Sequence, residues 1–363
     1  MIPPVSTAEQ APVGPRRGSS VDLPPRRVVH HQRRPKPGQV SIERLFESVR
    51  GALSPQWTAE VAVSPEYTQG LGPRIANLRA AARCRGDVHH VVGDVHYLAF
   101  ALPPERLVLT VHDSVTLYRL AGWRREVFRQ LWYRLPVRRA AAVTVISASS
   151  RDELLRWIGD DAQRVEVVPN SVGTEFEPDP RPFRTDAPVV LQVGTASNKN
   201  VERVAEALVG TNCRLHVVGE LTPEQRAAIA TTGVPLRELG RVSEADLVEA
   251  YREADMLVFA SLYEGFGLPI LEAQAVGRPV VTSDRLSMPE AAGAGAWLVD
   301  PENVRSIRAG VEQVVADADV RRRLVRDGFA TVARYRPAAV AAQYEAIYDR
   351  VADAADRSAG HPG

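Results

Sequence analysis

The sequence predicts an α/β protein built from two doubly wound domains that face each other across a cleft. Twelve short apolar runs, rich in β-branched residues, alternate with longer helical patterns along the 363 residues. Continuous apolar strands of this kind are typical of parallel sheets that are covered by helices on both faces. A polar, proline-rich stretch without periodicity, EFEPDPRPFRTDAP at 175–188, divides the runs into two sets of six. This division predicts two domains of ordinary size.

The first domain is predicted at 26–183 and the second at 184–336, after a tail at 1–25 whose composition favours disorder. The strands of the first domain are predicted in RRVVHH, AEVAVS, DVHHVVG, RLVLTVHD, AVTVIS and RVEVVPN. Those of the second are predicted in VVLQVG, RLHVVG, LRELGRV, MLVFAS, PVVTS and AWLVD. A final helix at 337–356 has no strand after it, and we expect it to pack back on a domain, with the N-terminal one as the candidate.

The composition indicates whether the protein binds nucleic acid, is secreted or spans a membrane. The formal net charge is +1, so overall charge gives no indication of nucleic-acid binding. Cys84 and Cys213 match no metal-ligand spacing and favour a reducing compartment. The start of the chain lacks the apolar segment of a secretory signal, and no window approaches the roughly 18 apolar residues that a membrane span needs. We therefore expect a cytoplasmic protein.

The stretch YEGFGLPILEAQAVGRP at 263–279 carries the strongest functional signal. It follows a predicted strand, and Gly265 and Gly267 let the backbone approach a ligand closely. The carboxylates of Glu264 and Glu272 only accept hydrogen bonds, whereas glycine amides and a helix N-terminus attract phosphate. A sugar nucleotide carries both hydroxyls and phosphates, and it meets both demands. The simpler alternative is a solvated turn glutamate followed by a glutamate that complements the helix dipole.

The string EGFGLPILE resembles the E-x7-E motif of the retaining glycosyltransferases of family 4, the group 1 glycosyl transferases with the two-domain GT-B fold. The resemblance is strong over 189–301, where GRVSEADLVEAYREADMLVFASLYEG, GRPVVTSD and MPEAAGAGAWLVDP also match, and weaker over 107–172. It implies that Glu264 binds hydroxyls of the donor sugar and that Glu272 binds the ribose. The donor site that it implies further contains Gly265, Phe266, Gly267, Leu268 and, as a backbone contact to the base, Val242.

A second loop, VGTASNKN at 193–200, is expected to bind the diphosphate. Lys199 is one of only two lysines among 45 basic residues, and it precedes a predicted helix whose amides would also attract phosphate. The alternative is an ordinary strand–loop–helix connection with a solvated lysine. The loop resembles the family's diphosphate-binding loop, which often carries arginine at two positions that are Thr195 and Asn198 here. The resemblance implies donor contacts from Gly194, Thr195, Asn198 and Lys199.

The first domain is expected to contribute the acceptor side of the cleft. The segment LVLTVHD resembles the family's T-x-H segment, which implies that His112 lies beside the donor sugar and takes part in catalysis, though not as a general base. The alternative for this residue is a structural histidine. Many relatives have a double-glycine loop after the first strand, where this chain has a single glycine. The candidates on the acceptor side are Lys36, Gly38, Ser41 and His96.

Two other patterns are weighed against simpler explanations. The segment 119–139 has seven arginines and one acid, with Trp123, Phe128 and Trp132 at near-helical spacing. We prefer a surface helix whose aromatic stripe packs on the first sheet, and an amphipathic helix on anionic lipid is the alternative. The cluster of histidines and acids at 84–96 has no standard metal spacing, and the acids of ADAD at 316–319 are expected on the solvated surface.

Together these observations predict a retaining glycosyltransferase that moves a sugar from a nucleoside-diphosphate sugar to a hydroxyl acceptor on a glycan, a lipid-linked saccharide or a small molecule. Polysaccharide or glycoconjugate biosynthesis is the expected setting. The family resemblance further implies that the leaving phosphate assists the attack and that neither a metal nor a cofactor is needed. The alternative is a non-catalytic partner that binds sugar nucleotides in a polysaccharide assembly.

Overall fold

The computed structural model describes residues 24–35, 41–159 and 165–360. The expected disordered tail up to residue 23 lies outside the described residues, and so do Lys36 and Gly38. Among the described residues, no helix combines the length and apolar character needed to cross a bilayer.

The first sheet has six parallel strands in the order β2-β1-β3-β4-β5-β6. Its central strands are buried along their whole length, as the apolar runs predict for a sheet covered on both faces. The strands are β1 (Arg26–Gln32), β2 (Trp57–Val63), β3 (Val88–Val91), β4 (Leu107–Val111), β5 (Ala142–Val145) and β6 (Val165–Val167). The α-helices of this domain are α1 (Ser41–Gly51), α2 (Leu71–Ala81), α3 (Val115–Arg119), α4 (Gly122–Phe128), α5 (Leu135–Arg139) and α6 (Ala148–Ile158).

The second sheet also has six parallel strands, in the order β12-β11-β10-β7-β8-β9. Its strands are β7 (Val189–Val193), β8 (Arg214–Val218), β9 (Leu236–Gly240), β10 (Met256–Phe259), β11 (Val280–Ser283) and β12 (Ala296–Val299). Its helices are α7 (Val201–Ala207), α8 (Pro223–Thr232), α9 (Glu244–Glu253), α10 (Leu268–Val276), α11 (Met288–Ala292), α12 (Val304–Ala316) and α13 (Ala318–Val332). Every apolar run that predicted a strand contains one, and the prediction of two parallel α/β sheets is confirmed.

The last helix, α14 (Pro337–Ala359), packs on the first sheet through a stripe of buried apolar side chains. At its centre the hydroxyl of Tyr348 lies 3.1 Å from Nε2 of His30 and 2.7 Å from Nδ1 of His90. The other ring nitrogen of His90 lies 2.7 Å from the hydroxyl of Thr110. Hydrogen bonds therefore compensate these polar groups for the loss of water in the core. They join α14 to three neighbouring strands, β1, β3 and β4.

The basic segment 119–139 differs from the preferred interpretation. Phe128 and Trp132 do stack, with ring centroids 5.0 Å apart, and Trp132 is buried. Trp123, however, is 73% exposed and does not pack on the sheet. A π-helical turn at Arg129–Arg134 separates α4 from α5. The aromatic spacing was compatible with a buried stripe, but the helix turns its first tryptophan toward solvent.

Candidate active site

The candidate site lies where the strand order of the second sheet reverses. β7 lies between β10 and β8, so the loops after β7 and β10 leave the same edge of the sheet on either side of a topological switch point. The loop after β7 ends in a short 3₁₀ turn at Ser197–Lys199, and the loop after β10 leads to the N-terminus of α10. Ligands of open α/β sheets bind at such a point because the two loops diverge there.

The two loops meet through Lys199 and Glu264. The Lys199 ammonium lies 2.7 Å from the Glu264 carboxylate, and both side chains are largely buried. Asn198 strengthens the junction, because its side-chain amide donates to the carbonyl of Tyr263 at 2.8 Å. The ammonium also lies 4.8 Å from the ring centre of Phe259, at the end of β10. A fixed positive charge beside a carboxylate can hold a phosphate and a sugar hydroxyl side by side.

Two glycines of the predicted motifs have backbone conformations that explain their presence. Gly194 has φ +90°, and a Cβ atom there would lie 2.9 Å from Cε of Lys199. Gly267 has φ +109° and caps the N-terminus of α10, with Pro269 in the first turn. A side chain at either position would force a strained backbone, and at Gly194 it would also displace the lysine. The glycines therefore set the positions of the lysine and of the helix N-terminus.

Glu272 lies in the second turn of α10 and is held by a buried tyrosine. The hydroxyl of Tyr251, in α9, donates to a carboxylate oxygen of Glu272 at 2.6 Å. Burial raises the pKa of Glu272 to about 7, and the hydrogen bond from Tyr251 opposes that rise. The Tyr251 ring packs edge-on against Phe176, with centroids 5.6 Å apart. The sequence analysis did not identify Tyr251, because the contact joins residues 21 positions apart in different helices.

His112 follows β4, and its backbone lies close to the glycine loop of the second domain. Its Nε2 lies 2.9 Å from the carbonyl oxygen of Val92, so this nitrogen carries the proton and Nδ1 is the acceptor. Burial lowers the pKa of His112, which keeps the ring neutral. A Cβ atom on Gly265 would lie 3.7 Å from the backbone oxygen of His112, so the glycine loop passes close to this segment. The structure thus brings His112 and the Glu264 loop to the same region.

The domain interface beside the site contains polar contacts that the sequence analysis missed. The carboxylate of Glu153, in α6, accepts from the Ser114 hydroxyl at 2.7 Å and from the Tyr263 hydroxyl at 2.9 Å. The hydroxyl of Ser147, the N-cap of α6, donates to the carbonyl of Gly265 at 2.9 Å. These contacts attach the loop that carries Glu264 to the first domain. Of these residues, only Ser147 could have been recognised from the sequence, because a serine just after a strand is a typical N-cap of a helix.

The remaining predicted residues are more scattered. Thr195 donates its hydroxyl to the carbonyl of Glu220, outside the Lys199–Glu264 junction. α1 begins at Ser41. His96 lies in a 3₁₀ turn after β3, where it is buried and its Nδ1 donates to the carbonyl of Trp132 at 2.9 Å. Within the described ranges, no three His, Cys, Asp or Glu side chains are grouped as a metal site requires.

Family models match almost the whole length of both domains. A model described as Glycosyltransferase Family 4 matches residues 28–176, and one described as Glycosyl transferases group 1 matches residues 173–330. The fold and the site define a GT-B glycosyltransferase. This chain belongs to the group 1 glycosyltransferases of the family 4 type, as the E-x7-E motif predicted.

Curated relatives and solved structures agree with this assignment. The chain is 28% identical to the MMP alpha-(1->4)-mannosyltransferase of Mycolicibacterium hassiacum over 87% of its length and 81% of that protein. It is 45% identical to the O-antigen chain mannosyltransferase B of Escherichia coli, over 23% of its length and 22% of that protein. Sucrose-phosphate synthase from Thermosynechococcus elongatus superposes with a TM-score of 0.71 at 17% identity, over 90% of this chain and 99% of that one. HepE of Anabaena, crystallised with UDP and glucose, superposes with a TM-score of 0.72 at 16% identity, over 90% of this chain and 100% of that one. At these identities the two structures support the fold alone.

Proposed function

We propose that this protein transfers a sugar from a nucleoside-diphosphate sugar to an acceptor hydroxyl, with retention of configuration at the anomeric carbon. The observation that carries the proposal is the contact of Lys199 with Glu264 at the switch point, beside the N-terminus of α10. Glu264 accepts hydrogen bonds from hydroxyls of the donor sugar, and Glu272 accepts those of the ribose. The diphosphate lies between them, against Lys199 and the amides of Gly265 to Leu268.

The chemistry is the cleavage of the anomeric C–O bond of the donor. Negative charge builds on the departing diphosphate, and Lys199 and the positive end of α10 stabilise it. The acceptor hydroxyl attacks from the face that the diphosphate leaves, and its proton passes to a phosphate oxygen. Bond breaking and bond making then occur on one face, which retains the configuration. As the family resemblance implies, we propose that no metal or cofactor is needed, so activity should persist in EDTA.

His112 serves as a positioning group beside the sugar in this proposal. Its backbone lies next to Gly265, and its neutral ring has its acceptor at Nδ1. An acceptor nitrogen can orient a sugar hydroxyl without removing a proton from the attacking group. His112→Ala should therefore lower kcat and leave nucleotide affinity nearly unchanged. The acceptor side would be formed by the first domain, with Ser41 and His96 as candidates there.

We propose mannose as the donor sugar, because both of the curated relatives described above are named as mannosyltransferases. Polysaccharide or O-antigen assembly is the proposed setting, and Cys84 and Cys213 would stay reduced on the cytoplasmic face of the membrane. The test is a donor screen with purified protein and a simple mannoside acceptor, followed by NMR assignment of the product anomer. An inverted anomer would refute the retaining mechanism. Binding of the nucleotide without turnover on any acceptor would favour the non-catalytic alternative.

An exposed ridge favours an acceptor held at a membrane. Trp123, Val127, Leu131 and Leu135 recur every four residues and all are exposed to solvent. Four residues exceed one α-helical turn, so the stripe would drift around an α-helix, and the wider π-helical turn after α4 compensates for this drift. Exposed arginines flank the ridge at Arg119, Arg124 and Arg138. We therefore propose that the ridge inserts into the surface of an anionic bilayer.

Vesicle binding tests this surface directly. The wild type should sediment with vesicles of phosphatidylglycerol and phosphatidylcholine, and less with phosphatidylcholine alone. Trp123→Ser with Leu131→Ser should lower binding at least about tenfold, since both side chains lose their apolar area in the bilayer. Leu71→Ser is the matched control, because Leu71 is 77% exposed and lies on α2. Equal binding by the double variant and the control would refute the membrane contact.

A further inference from the structure

A cavity of about 530 Å³ opens on the nucleoside side of the candidate donor site. Its lining includes Glu272 and Leu268 of α10, but neither Glu264 nor any residue of the phosphate loop at 194–199. The ribose at Glu272 therefore lies between the diphosphate and this cavity, and the base points into it. A volume of this size accommodates a nucleobase.

The charged side chains that line the cavity are mostly acceptors. Glu47, Glu175 and Glu244 join Glu272 in the lining, and Arg44 is the one basic residue among them. Arg44, in α1, lies 3.3 Å from Glu244, at the start of α9, so this ion pair crosses between the domains at the mouth of the cavity. A carboxylate has two oxygens and about four acceptor positions, so Glu244 can keep this partner and still accept from a ligand.

Two further features indicate that the cavity receives a polar ligand with donors. Ser171 is 6% exposed and lines the cavity, and its hydroxyl has no hydrogen-bond partner among the described residues. A buried hydroxyl without a partner is costly, and a ligand would remove that cost. Burial, together with a side-chain hydrogen bond to Glu244, raises the pKa of Glu175. The carboxyl groups of Glu175 and Glu244 therefore lie close together in the lining.

Part of the lining is apolar and can pack against a flat ring. Phe176, Leu247 and Leu268 contribute apolar surface from the linker, α9 and α10. Val242, also in the lining, directly precedes Ser243, the N-cap of α9. Glu244, the first residue of α9, follows Ser243 and lines the same cavity as these apolar side chains.

We infer that the cavity selects guanine, with the Glu244 carboxylate accepting hydrogen bonds from N1–H and N2–H of the base. This inference rests on the proposed function, because it identifies the base of the same donor nucleotide. Guanine presents two donors side by side, which match the two oxygens of one carboxylate. In adenine and cytosine the amino group adjoins an acceptor nitrogen, and in uracil the single N–H lies between two carbonyls. Each of these bases would place an acceptor against the second oxygen, which is repulsive.

Isothermal titration of the purified full chain with GDP, inosine diphosphate, UDP and ADP tests the inference. Inosine diphosphate differs from GDP only by the missing 2-amino group, so the pair measures one hydrogen bond. The wild type should bind GDP about tenfold more tightly than inosine diphosphate and about 10- to 100-fold more tightly than UDP or ADP. In Glu244→Gln, the difference between GDP and inosine diphosphate should fall to within about twofold.

Arg44→Gln is the matched control, since it breaks the same ion pair but keeps the carboxylate, so the preference for GDP over inosine diphosphate should remain. Equal binding of GDP and inosine diphosphate by the wild type, or a preference for UDP or ADP, would overturn the guanine inference and leave the transferase proposal standing. A tenfold preference that survives in Glu244→Gln would also overturn it. If none of the four nucleotides binds, the donor site itself fails, and with it the proposed function.

Discussion

The hydrogen bond between Tyr251 and Glu272 leads to a prediction about pH. The substitution Tyr251→Phe removes one hydroxyl and keeps the buried ring that packs on Phe176. Without this donor at 2.6 Å, the ionised form of Glu272 loses its stabilising hydrogen bond. The pKa of Glu272, about 7 in the wild type, should therefore rise further. Since the ribose hydroxyls donate to the ionised carboxylate, nucleotide affinity should fall at neutral pH.

The size of the effect follows from the strength of such a bond. A hydrogen bond to a charged group contributes about 1.5–3 kcal/mol. At 1.36 kcal/mol for each pKa unit, its loss should raise the pKa of Glu272 by roughly one to two units. At pH 7 the ionised fraction would fall from about one half to between about one tenth and one hundredth. The dissociation constant for the nucleotide should then rise about 5- to 50-fold at pH 7, and by about twofold or less at pH 9.

The measurement is nucleotide affinity by calorimetry at half-unit steps from pH 6 to pH 9. Glu272→Gln separates the carboxylate from the nucleotide's own phosphate, because only the phosphate still titrates in that variant. Tyr335→Phe is the matched control, since this buried tyrosine of the same domain donates to the backbone carbonyl of Glu290. A loss of affinity in Tyr251→Phe that is the same at every pH would refute the reasoning. It would mean that the tyrosine positions the helix and does not affect the ionisation of Glu272.

Three further predictions concern charge and stability. Lys199→Met should lower kcat about 10²- to 10³-fold without unfolding the protein. Lys199→Arg, which keeps the positive charge, should retain part of the activity. Equal rates for the wild type and Lys199→Met would exclude a role of Lys199 in stabilising the leaving group. Arg278→Met should lower the free energy of unfolding, measured by urea titration, by about 3 kcal/mol. The reason is that this buried guanidinium donates to a carboxylate and to backbone carbonyls. The exposed ion pair of Arg322 with Asp319 should contribute less than about 1 kcal/mol. Burial lowers the pKa of His30 and of His31 to about 3, so the unfolded chain takes up protons below about pH 6.5 that the folded chain does not. Stability should therefore fall by about 1.6 kcal/mol for each of these histidines between pH 6.5 and pH 5, and a flat profile would contradict their neutral burial.

The strands and the central motif could be predicted because each depends on residues close together in the chain. A buried parallel strand requires a short run of apolar residues, and this requirement is the same wherever the strand lies in the sheet. Likewise, Gly267 and Pro269 indicate a helix start wherever the helix lies.

The groups that hold these residues in place could not be predicted in the same way. Tyr251, Glu153 and Tyr348 each contact a partner on another element, up to 318 positions away. In the sequence, a tyrosine within an apolar helix pattern cannot be distinguished from an ordinary core residue. Only the structure shows which group its hydroxyl contacts. The prediction that the aromatic stripe of the basic segment packs on the first sheet was wrong for Trp123 for a related reason. Periodicity shows which side chains share one face of a helix, but it does not show whether another part of the protein covers that face.

The sequence by itself determined the two parallel sheets, the glycine loop and the two glutamates, since all of these depend on short-range pattern and backbone conformation. Only the tertiary structure decided which lysine reaches Glu264, which tyrosine holds Glu272, and that Trp123 faces solvent. It also decided that Glu244 and Arg44, from different domains, meet at the mouth of the nucleoside cavity. The physical reason is that hydrogen bonds and ion pairs act over a few ångströms in space. The contacts of Lys199 and Tyr251 form when the second domain is complete, whereas Glu244 meets Arg44 only when the two domains are packed together.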